Sequence, residues 1–393
     1  EHFPIWGRAE HGPGKAPSSL FHLAAGAVAQ VKKVLFSGGG TGGHIYPALA
    51  MYELLQEKLG AGNLQGAYAG LAGGMEAGIV SRIPNLPFLH VRGQGMPREL
   101  SVRWLTFPFR NVLGGVDAWK HLRQFRPDLV ITTGGYVAFP VLLASRLLGI
   151  PYAMHEQNAA MGVTNSVFAS AASRVLLTYE EAFSERSVRV SVTGNPVRKA
   201  FVQRKTSENS FQKKDGQFWI LFVGGSRGAA SLNKSCLELS REWLSRNPQV
   251  VLLHITGERD FEKVKAEAGS PNERHILLPY LHEMREAFAV ADLLVSRAGA
   301  TILAEIACES RPAILVPYPF ATDNHQEKNA RILEQSGAAR VILDKDLSGA
   351  SLASVIEAVQ CSGTLEKMTQ AMSASRPADV EERIWQSISP LLT

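Results

Sequence analysis

Residues 37–50, which read SGGGTGGHIYPALA, hold the groups best suited to chemistry in this sequence. The short apolar run 34–36 precedes them and an apparent helix at 48–59 follows, so the order is strand, glycine-rich turn and helix. A turn of this kind points backbone N–H groups at a ligand, and the positive end of the helix dipole favours negative charge there. The stretch therefore predicts a site for a phosphate-linked group or its reaction partner, with His44 beside the chemistry.

The glycines of this turn also satisfy the spacing G-x-G-x-x-G, at Gly38, Gly40 and Gly43. A dinucleotide-binding domain needs, in addition, an acidic residue near the end of its second strand. Residues 68–72 read YAGLA and supply none, so an NAD-dependent enzyme is disfavoured. A tight turn without a ligand is the alternative, but five glycines within residues 38–43, followed by His and Pro, favour an anion or sugar site.

Three further polar stretches follow apolar runs. Residues 155–158, HEQN, resemble the rim of a site, although a capped helix start is the alternative. Residues 297–301, RAGAT, open a second helix whose N-terminus would face the same cleft. Glu305 follows on the same helix face and suits a ribose, unless it is an exposed surface carboxylate. Residues 323–329, DNHQEKN, favour sugar-hydroxyl recognition over a bare loop.

Asp344-Lys345-Asp346 has the D-x-D spacing that binds metal and nucleotide in other proteins. It lies in a late, turn-like stretch far from both glycine turns, so we interpret it as surface and predict no metal site. The three cysteines are far apart and show no metal-ligand spacing, which indicates a reducing compartment.

Residues 96–109 mix aromatic and basic side chains, and residues 92–126 hold seven Arg or Lys against two acids, a local charge of 7 − 2 = +5. Such a mixture suits an anionic membrane surface, although a core helix with a solvated face explains it equally well. No apolar run reaches the roughly 18–20 residues of a spanning helix. The overall charge of +5 is too diffuse to indicate nucleic acid.

Around these motifs, short apolar β-rich runs alternate with helical patterns, which is typical of parallel sheets covered on both faces. The pattern of strand, glycine turn and helix occurs twice, the second time from residue 218. The predicted strands are 31–36, 65–69, 88–91, 129–132, 152–154, 174–177, 190–193, 218–223, 250–256, 275–278, 293–296, 313–317 and 340–342. The predicted helices are 48–59, 104–125, 140–148, 166–172, one from 231, 284–289, 301–308, 326–335 and 352–359.

A chain of 393 residues exceeds what one core usually takes, so we predict two doubly wound domains facing one another across a cleft. The first would span residues 31–198 and the second 218–364, joined by a linker at 199–217. Residues 365–393 would pack back on the first domain. We interpret residues 1–30 as a loose extension rather than a signal peptide.

Together these motifs resemble those of the MurG family, bacterial glycosyltransferases with the GT-B fold of two Rossmann-like domains. The resemblance runs in order from about residue 31 to the end of the chain. It implies transfer of N-acetylglucosamine from UDP-N-acetylglucosamine to undecaprenyl-pyrophosphoryl-N-acetylmuramoyl-pentapeptide, which converts lipid I to lipid II in peptidoglycan synthesis. The stretches that carry it are GGGTGGHIYPALA, TTGGYVAFP, HEQNAAMGVTN, TGNPVR, GGSRGA, RAGATILAEIA and DNHQEKNA.

The resemblance places the UDP-sugar mainly in the second domain. Leu281 would contact the uracil, Glu305 the ribose and Gln326 the sugar. Position 325 is His here, where some members carry Gln. The donor-binding residues implied in this way are Thr41, Gly42, Gly43, Asn158, Arg198, Ser226, Leu281, Ala300, Thr301, Ile302, Leu303, Ala304, Glu305 and Gln326.

The implied reaction is a single displacement with inversion, in which the acceptor 4-hydroxyl attacks and UDP leaves without a metal or other cofactor. Helix N-termini directed at the diphosphate would stabilise its growing charge. His44 is our candidate for the general base, with Glu156 as the alternative. The candidates for contact with the acceptor or the membrane are Gly93, Arg98, Arg103, Trp104, Phe107 and Tyr136.

The implied location is the cytoplasmic face of the plasma membrane, with peripheral attachment to an anionic surface and no nucleic acid partner. Two other functions are alternatives: another GT-B UDP-sugar transferase with a different lipid or small-molecule acceptor, and a non-catalytic nucleotide-sugar or dinucleotide-binding protein. The resemblance carried by HEQN together with GGGTGGH argues against the first. The set of His44, Glu305 and Gln326 argues against the second.

Overall fold

The computed structural model describes residues 30–95, 103–184, 187–202, 210–225, 228–270, 272–361 and 363–392. These residues form two parallel β-sheets, one of seven strands and one of six. The first sheet contains β1 (Lys32–Ser37), β2 (Leu64–Leu71), β3 (Phe88–Val91), β4 (Leu129–Thr132), β5 (Tyr152–Glu156), β6 (Arg174–Leu177) and β7 (Val190–Val192). The second contains β8 (Phe218–Val223), β9 (Val250–Ile255), β10 (His275–Leu278), β11 (Leu293–Ser296), β12 (Ala313–Leu315) and β13 (Ala339–Val341).

Helices cover both faces of each sheet. Neighbouring side chains of one strand point to opposite faces and enter different apolar clusters, as Leu35 and Phe36 do in the first sheet and Leu221 and Phe222 in the second. The helices before β8 are α1 (Gly42–Leu59), α2 (Met75–Val80), α3 (Arg103–Phe125), α4 (Ala138–Leu148), α5 (Val163–Phe168) and α6 (Lys199–Val202). Those after it are α7 (Ala230–Glu242), α8 (Phe261–Ala268), α9 (Met284–Val290), α10 (Ala300–Cys308), α11 (His325–Gln335), α12 (Gly349–Gln360), α13 (Thr364–Ala374) and α14 (Val380–Ile388).

The strand orders are β3-β2-β1-β4-β5-β6-β7 and β10-β9-β8-β11-β12-β13, and the paired strands in each sheet are parallel. In both sheets the chain leaves the first strand in one direction and later returns on its other side, between β1 and β4 and between β8 and β11. Ligands bind at such switch points, beyond the carboxyl ends of the strands. This confirms the predicted fold of two doubly wound, Rossmann-like sheets and directs attention to those edges.

The predicted strands are all present, with ends that differ by at most two residues. The start of α1 was predicted wrongly: the helix begins at Gly42, not at residue 48, and continues through Pro47. Pro47 is the sixth residue of the helix and cannot donate to the Gly43 carbonyl, which accepts from Thr301 Oγ1 at 3.3 Å instead. His44 therefore belongs to the first turn of a helix rather than to a loop.

The C-terminal segment divides between the two sheets. Met368 and Met372 of α13 pack into the clusters of the second sheet. Val380, Ile384 and Ile388 of α14 pack into a cluster of the first. The described part of the segment from α14 onward therefore lies on the first sheet, whereas α13 lies on the second, although the whole segment 365–393 was expected on the first. None of the helices in the described parts of the chain combines the length and apolar character needed to span a bilayer.

Candidate active site

The turn after β1 is packed tightly against the turn after β4. A Cβ on Gly38 would collide with the Thr133 hydroxyl, and a Cβ on Gly135 would collide with the Gly39 carbonyl. Gly135 also has φ +84°, a conformation that favours glycine. The glycines thus bring two strand ends close together beside the first turn of α1.

His44 is oriented through its Nδ1 atom. This atom lies 2.7 Å from the Thr133 carbonyl oxygen and 3.1 Å from Gln157 Oε1. A carbonyl oxygen can only accept, so the proton of the neutral imidazole is on Nδ1 and donates to Thr133. The Nε2 lone pair is then available to take a proton, which is what a general base requires.

Gln157 and His155 form a chain behind His44. Gln157 Nε2 donates to the His155 carbonyl at 2.9 Å and lies 3.1 Å from His155 Nδ1, which fixes the amide oxygen toward His44. His155 Nε2 donates to the Gly194 carbonyl at 3.0 Å. Burial lowers the pKa of His155 to about 4, so this ring is neutral at physiological pH.

Glu156 is buried and fully engaged. Its Oε1 accepts from the Asn158 backbone N–H and side-chain amide at 3.1 and 3.2 Å. Its Oε2 accepts from the Gly162 N–H and from Asn165 Nδ2 at 2.9 and 2.8 Å. With both oxygens holding the loop after β5, Glu156 is poorly placed to remove a proton from a substrate.

The N-termini of α1 and α10 meet where the two sheets face one another. Thr301 Oγ1 donates to the Gly43 carbonyl at 3.3 Å. Neither helix carries an acidic residue in its first turn. Two uncompensated positive helix ends at one place form a good environment for a diphosphate.

Arg198 and Glu305 form an ion pair beside these helix ends. Arg198 Nη2 donates to Glu305 Oε1 at 3.0 Å, and the guanidinium lies 4.8 Å from the centre of the Tyr46 ring. Burial raises the pKa of Glu305, and the charge of Arg198 lowers it again. Burial also raises the pKa of Tyr46 to about 12. The carboxylate expected to bind ribose is therefore paired with the arginine that was expected to reach the donor.

Gln326 is oriented by two backbone groups. Its Oε1 accepts from the Ala298 and Tyr318 N–H groups at 3.2 and 3.0 Å. The amide oxygen is thus used by two backbone N–H groups of the protein. A Cβ added to Gly299, the N-cap of α10, would lie 4.0 Å from Gln326 Nε2. The NH₂ group is the end of Gln326 available to a sugar.

A hydrogen-bonded asparagine pair joins the two halves of the chain. Asn329 Oδ1 accepts from the Ala159 N–H at 2.8 Å, and Asn329 Nδ2 donates to Asn158 Oδ1 at 3.2 Å. Asn158, a predicted donor contact, therefore uses its side chain to bind Asn329 and Glu156. Sequence reasoning included Asn329 in the stretch 323–329 for sugar recognition but did not predict its bonds to Asn158 and Ala159. The signal was its place with Ala330 and Leu333 on the buried face of α11.

The other predicted donor residues divide by burial. Leu303 packs inside the second sheet's core and Ala304 is buried, so both would reach a ligand only through their backbone. Ile302 and Leu281 are half-buried against the same core. Ser226 lies outside the described residues.

Asp344 is not the remote surface residue that was predicted. Its Oδ1 accepts from Arg297 Nη1 at 2.6 Å and from the Ser231 hydroxyl at 2.7 Å. Arg297 also donates to Ser231 Oγ and to the carbonyls of Val316 and Pro317. The carboxylate thus ties the ends of β11, β12 and β13 to the start of α7. Distance along the sequence concealed this, because parallel strands bring their carboxyl ends to one edge.

Tyr136 is an acceptor candidate that lies against the first glycine turn. A Cβ on Gly40 would lie 2.8 Å from the Tyr136 ring, and Gly95 also lies against it. Gly93 lies near Asn111 of α3. Arg98 lies outside the described residues, as do the side chains of Arg103 and Trp104.

An apolar face runs over α3, α4 and α5. Phe107 is half-buried, whereas Phe109 exposes 73% of its surface. The other exposed apolar residues of this face are Leu105, Val112, Leu113, Val116, Phe139, Leu143, Leu147, Val163 and Val167. Exposed basic residues of α3 and α4 accompany them: Arg110, Lys120, Arg123 and Arg146. Clusters of exposed apolar side chains rimmed by charged residues mark interaction surfaces.

Comparison with known proteins gives matches over both sheets. The profile of the Glycosyltransferase family 28 N-terminal domain matches residues 34–177, and that of the Glycosyltransferase family 28 C-terminal domain matches residues 219–384. The UDP-N-acetylglucosamine–N-acetylmuramyl-(pentapeptide) pyrophosphoryl-undecaprenol N-acetylglucosamine transferase of Halothermothrix orenii is 40% identical, over 86% of this chain and 93% of its own length. The Bacillus subtilis protein of the same name is 37% identical, over 91% and 99%.

Solved structures agree. MurG from Acinetobacter baumannii superimposes with a TM-score of 0.71 at 28% identity, covering 91% of this chain and 99% of that one. A kitacinnamycin glycosyltransferase reaches the same TM-score of 0.71 at 16% identity, over 93% and 100%. The second likeness shows the fold alone.

Proposed function

Because this chain belongs to glycosyltransferase family 28, and within it to the MurG transferases, we propose that it moves N-acetylglucosamine from UDP-N-acetylglucosamine to undecaprenyl-pyrophosphoryl-N-acetylmuramoyl-pentapeptide. The single observation that carries the site assignment is the meeting of the α1 and α10 N-termini beside His44. The product is the disaccharide-pentapeptide lipid used in peptidoglycan synthesis.

His44 acts as the general base. Its Nδ1–H stays on the Thr133 carbonyl and its Nε2 takes the proton of the acceptor 4-hydroxyl as that oxygen attacks the anomeric carbon. The bond from this carbon to the diphosphate breaks, UDP leaves, and the configuration inverts. The imidazolium that forms is stabilised by the two acceptors already facing Nδ1, Thr133 and Gln157.

The departing diphosphate gains negative charge, and the helix ends are aimed at that charge. Preorganised N–H dipoles act without reorganisation during the reaction, so they lower the barrier. The same groups reduce the need for a divalent cation, and we expect full activity in the presence of a chelator. The Gln326 NH₂ group would donate a hydrogen bond to the sugar, and Arg198 and Glu305 would bind the nucleotide.

The test is UDP release by the purified protein, followed continuously with a coupled assay. Release should require both UDP-N-acetylglucosamine and the lipid-linked muramoyl-pentapeptide, and it should persist in EDTA. Equal release with and without the lipid acceptor would show hydrolysis of the sugar nucleotide. UDP-sugar binding without any release would show a binding protein or a transferase for a different acceptor.

The apolar face of α3, α4 and α5 would hold the enzyme on the anionic surface that carries its acceptor. Apolar side chains enter the interface while the neighbouring Arg and Lys bind lipid headgroups. The variant Phe109→Ser/Val112→Ser/Leu147→Ser should sediment poorly with vesicles containing phosphatidylglycerol. The matched control Val188→Ser alters an exposed valine elsewhere on the first domain and should sediment like wild type. Unchanged sedimentation of the triple variant would remove this face from the proposal.

A further inference from the structure

A chain of buried polar side chains lies beneath the second glycine turn and takes no part in the reaction described above. Asn233 and Cys236 belong to α7, His254 to β9, and His275 begins β10. All four are nearly inaccessible to solvent. Buried polar groups are costly unless they are hydrogen-bonded, so their arrangement needs a reason.

The acceptors around Asn233 fix the directions of the hydrogen bonds that join Asn233, His254 and His275. Asn233 Nδ2 lies 3.1 Å from the Thr256 carbonyl and 3.3 Å from Asp260 Oδ2, which can only accept, so this end is the NH₂ group. Asn233 Oδ1 therefore accepts from His254 Nε2 at 2.9 Å. His254 Nδ1 is then a lone pair and accepts from His275 Nε2 at 3.3 Å.

The other end of the chain supports the glycine turn. Gly228 has φ +74°, and a Cβ there would lie 2.9 Å from Asp260 Oδ2 and closer still to the Thr256 carbonyl. The Asn233 amide holds these same two oxygens. The backbone that leads into α7 therefore rests on atoms whose positions the amide fixes.

This arrangement works only while both histidines are neutral. A second proton on His254 would face the N–H of His275, and two donors repel. Burial lowers the pKa of His254 to about 3 and that of His275 to about 4. Burial also raises the pKa of the Cys236 thiol, whose sulfur lies 3.8 Å from His275 Nε2.

The sulfur and the two ring nitrogens lie close enough together to hold a metal ion, but the ring geometry favours the hydrogen bond. The ring planes are within 5° of parallel, the centroids are 5.5 Å apart and the facing nitrogens 3.3 Å apart. The nitrogens thus lie between the two rings and point at one another. Lone pairs that share an ion converge on a third point instead.

We infer that the chain of His275, His254 and Asn233 is a positioning element for donor binding: it orients the Asn233 amide, which holds Thr256 and Asp260 and through them Gly228. The inference rests on the proposed function and on the expectation that the second glycine turn, which contains the implied donor residue Ser226, lies against the donor. The three residues do not touch substrate. They act by fixing the backbone that does.

The test variant is Asn233→Asp, which has the same shape but replaces the NH₂ group by an oxygen facing two other oxygens. We expect UDP affinity, measured by calorimetry without acceptor, to fall roughly tenfold. The KM for UDP-N-acetylglucosamine should rise by the same factor, with kcat within about threefold at saturation. The matched control is Ser235→Ala on the same helix. Among the described residues the Ser235 hydroxyl donates to the Leu232 carbonyl of its own helix, so the UDP affinity of this variant should not change.

A second measurement does not depend on the variant being folded. Two-dimensional ¹⁵N–¹H spectra of the wild-type imidazoles at pH 7 should show His254 and His275 both neutral and protonated at Nε2. A charged ring, an Nδ1–H tautomer of His254, or Zn²⁺ that binds the wild type and displaces these signals would overturn the inference. So would wild-type UDP affinity in folded Asn233→Asp. If UDP affinity falls as expected but no lipid acceptor is ever glycosylated, the proposed function fails and the positioning role stands.

Discussion

Replacement of Arg198 by methionine tests the ion pair at the junction of the two halves. Methionine keeps much of the side-chain volume over Tyr46 but leaves Glu305, whose side chain is 8% exposed, without its partner. Removal of one member of a buried pair costs about 3–5 kcal/mol. Because the Arg198 side chain is itself 27% exposed, we expect the lower end, about 3 kcal/mol at pH 7.5.

The cost should depend on pH with a definite sign. Burial already raises the pKa of Glu305, and loss of Arg198 removes the influence that lowers it. A carboxyl whose pKa in the folded state exceeds its unfolded value loses stability as pH rises through the folded pKa. The destabilisation of Arg198→Met should therefore be largest at alkaline pH and should shrink as pH falls toward the unfolded value of about 4.3.

The assay is urea unfolding at pH 7.5 and pH 5.5, with Glu305→Gln and the double variant as controls. Glu305→Gln leaves a cation that is partly solvated and lies over two aromatic rings, so it should cost less than Arg198→Met, about 1–2 kcal/mol. The double variant should be more stable than Arg198→Met alone, because no charge remains unpaired. Equal destabilisation of Arg198→Met at both pH values, or a double variant whose cost is the sum of the two singles, would refute the coupling.

Three further predictions follow from the site and its supports. His44→Gln should lower kcat by about 10²–10⁴-fold with UDP affinity unchanged by calorimetry, and near wild-type kcat would remove His44 as the base. Arg297→Lys keeps the positive charge but loses the planar guanidinium that makes several hydrogen bonds at once. The KM for the donor should therefore rise roughly tenfold in steady-state assays. An unchanged KM would show that the contacts to Asp344 do not position the donor site. The buried histidines destabilise the fold in acid, because their folded pKa values lie below the unfolded value of about 6.5. These histidines are His155, His254 and His275. As pH falls below about 6.5, each should lower the free energy of unfolding by about 1.4 kcal/mol per pH unit, until pH reaches its own folded pKa of about 3 to 4. Urea unfolding midpoints at pH 7 and pH 5.5 measure this loss.

The strands and the two glycine turns could be predicted from the sequence because their causes are local. A buried parallel strand needs a continuous apolar run, and a glycine turn needs residues without a Cβ. The start of α1 at Gly42 was missed for a related reason. Glycine and Pro47 are weak helix formers, so local propensity does not indicate a helix over residues 42–47, where the folded chain has one.

The roles of the polar residues could not be predicted in the same way, because their partners are distant in sequence. Glu156 had the right residue type and position for a base, yet four hydrogen bonds commit it to its own loop. Asp344 was assigned to the surface, yet it holds Arg297, 47 residues away. The sequence predicts only that such groups lie at the edge of a sheet. Which of them remain available to a ligand depends on pairings that only the folded chain provides.

The polar atoms that these hydrogen bonds do not use determine what the site can do chemically. At the junction of the two sheets, the oxygens of Glu156 and Gln326 and both ends of Asn158 are used to hold loops. The lone pair on His44 Nε2, the NH₂ group of Gln326 and the N–H groups of two helix ends are left. A base that can take a proton, surrounded by hydrogen-bond donors that can bind an anion, is what the attack of a hydroxyl on a sugar diphosphate requires. Neither sheet supplies this set alone, since His44 comes from the first and Gln326 from the second. The proposed reaction would therefore depend on the contact between Thr301 and Gly43 that brings the helix ends together.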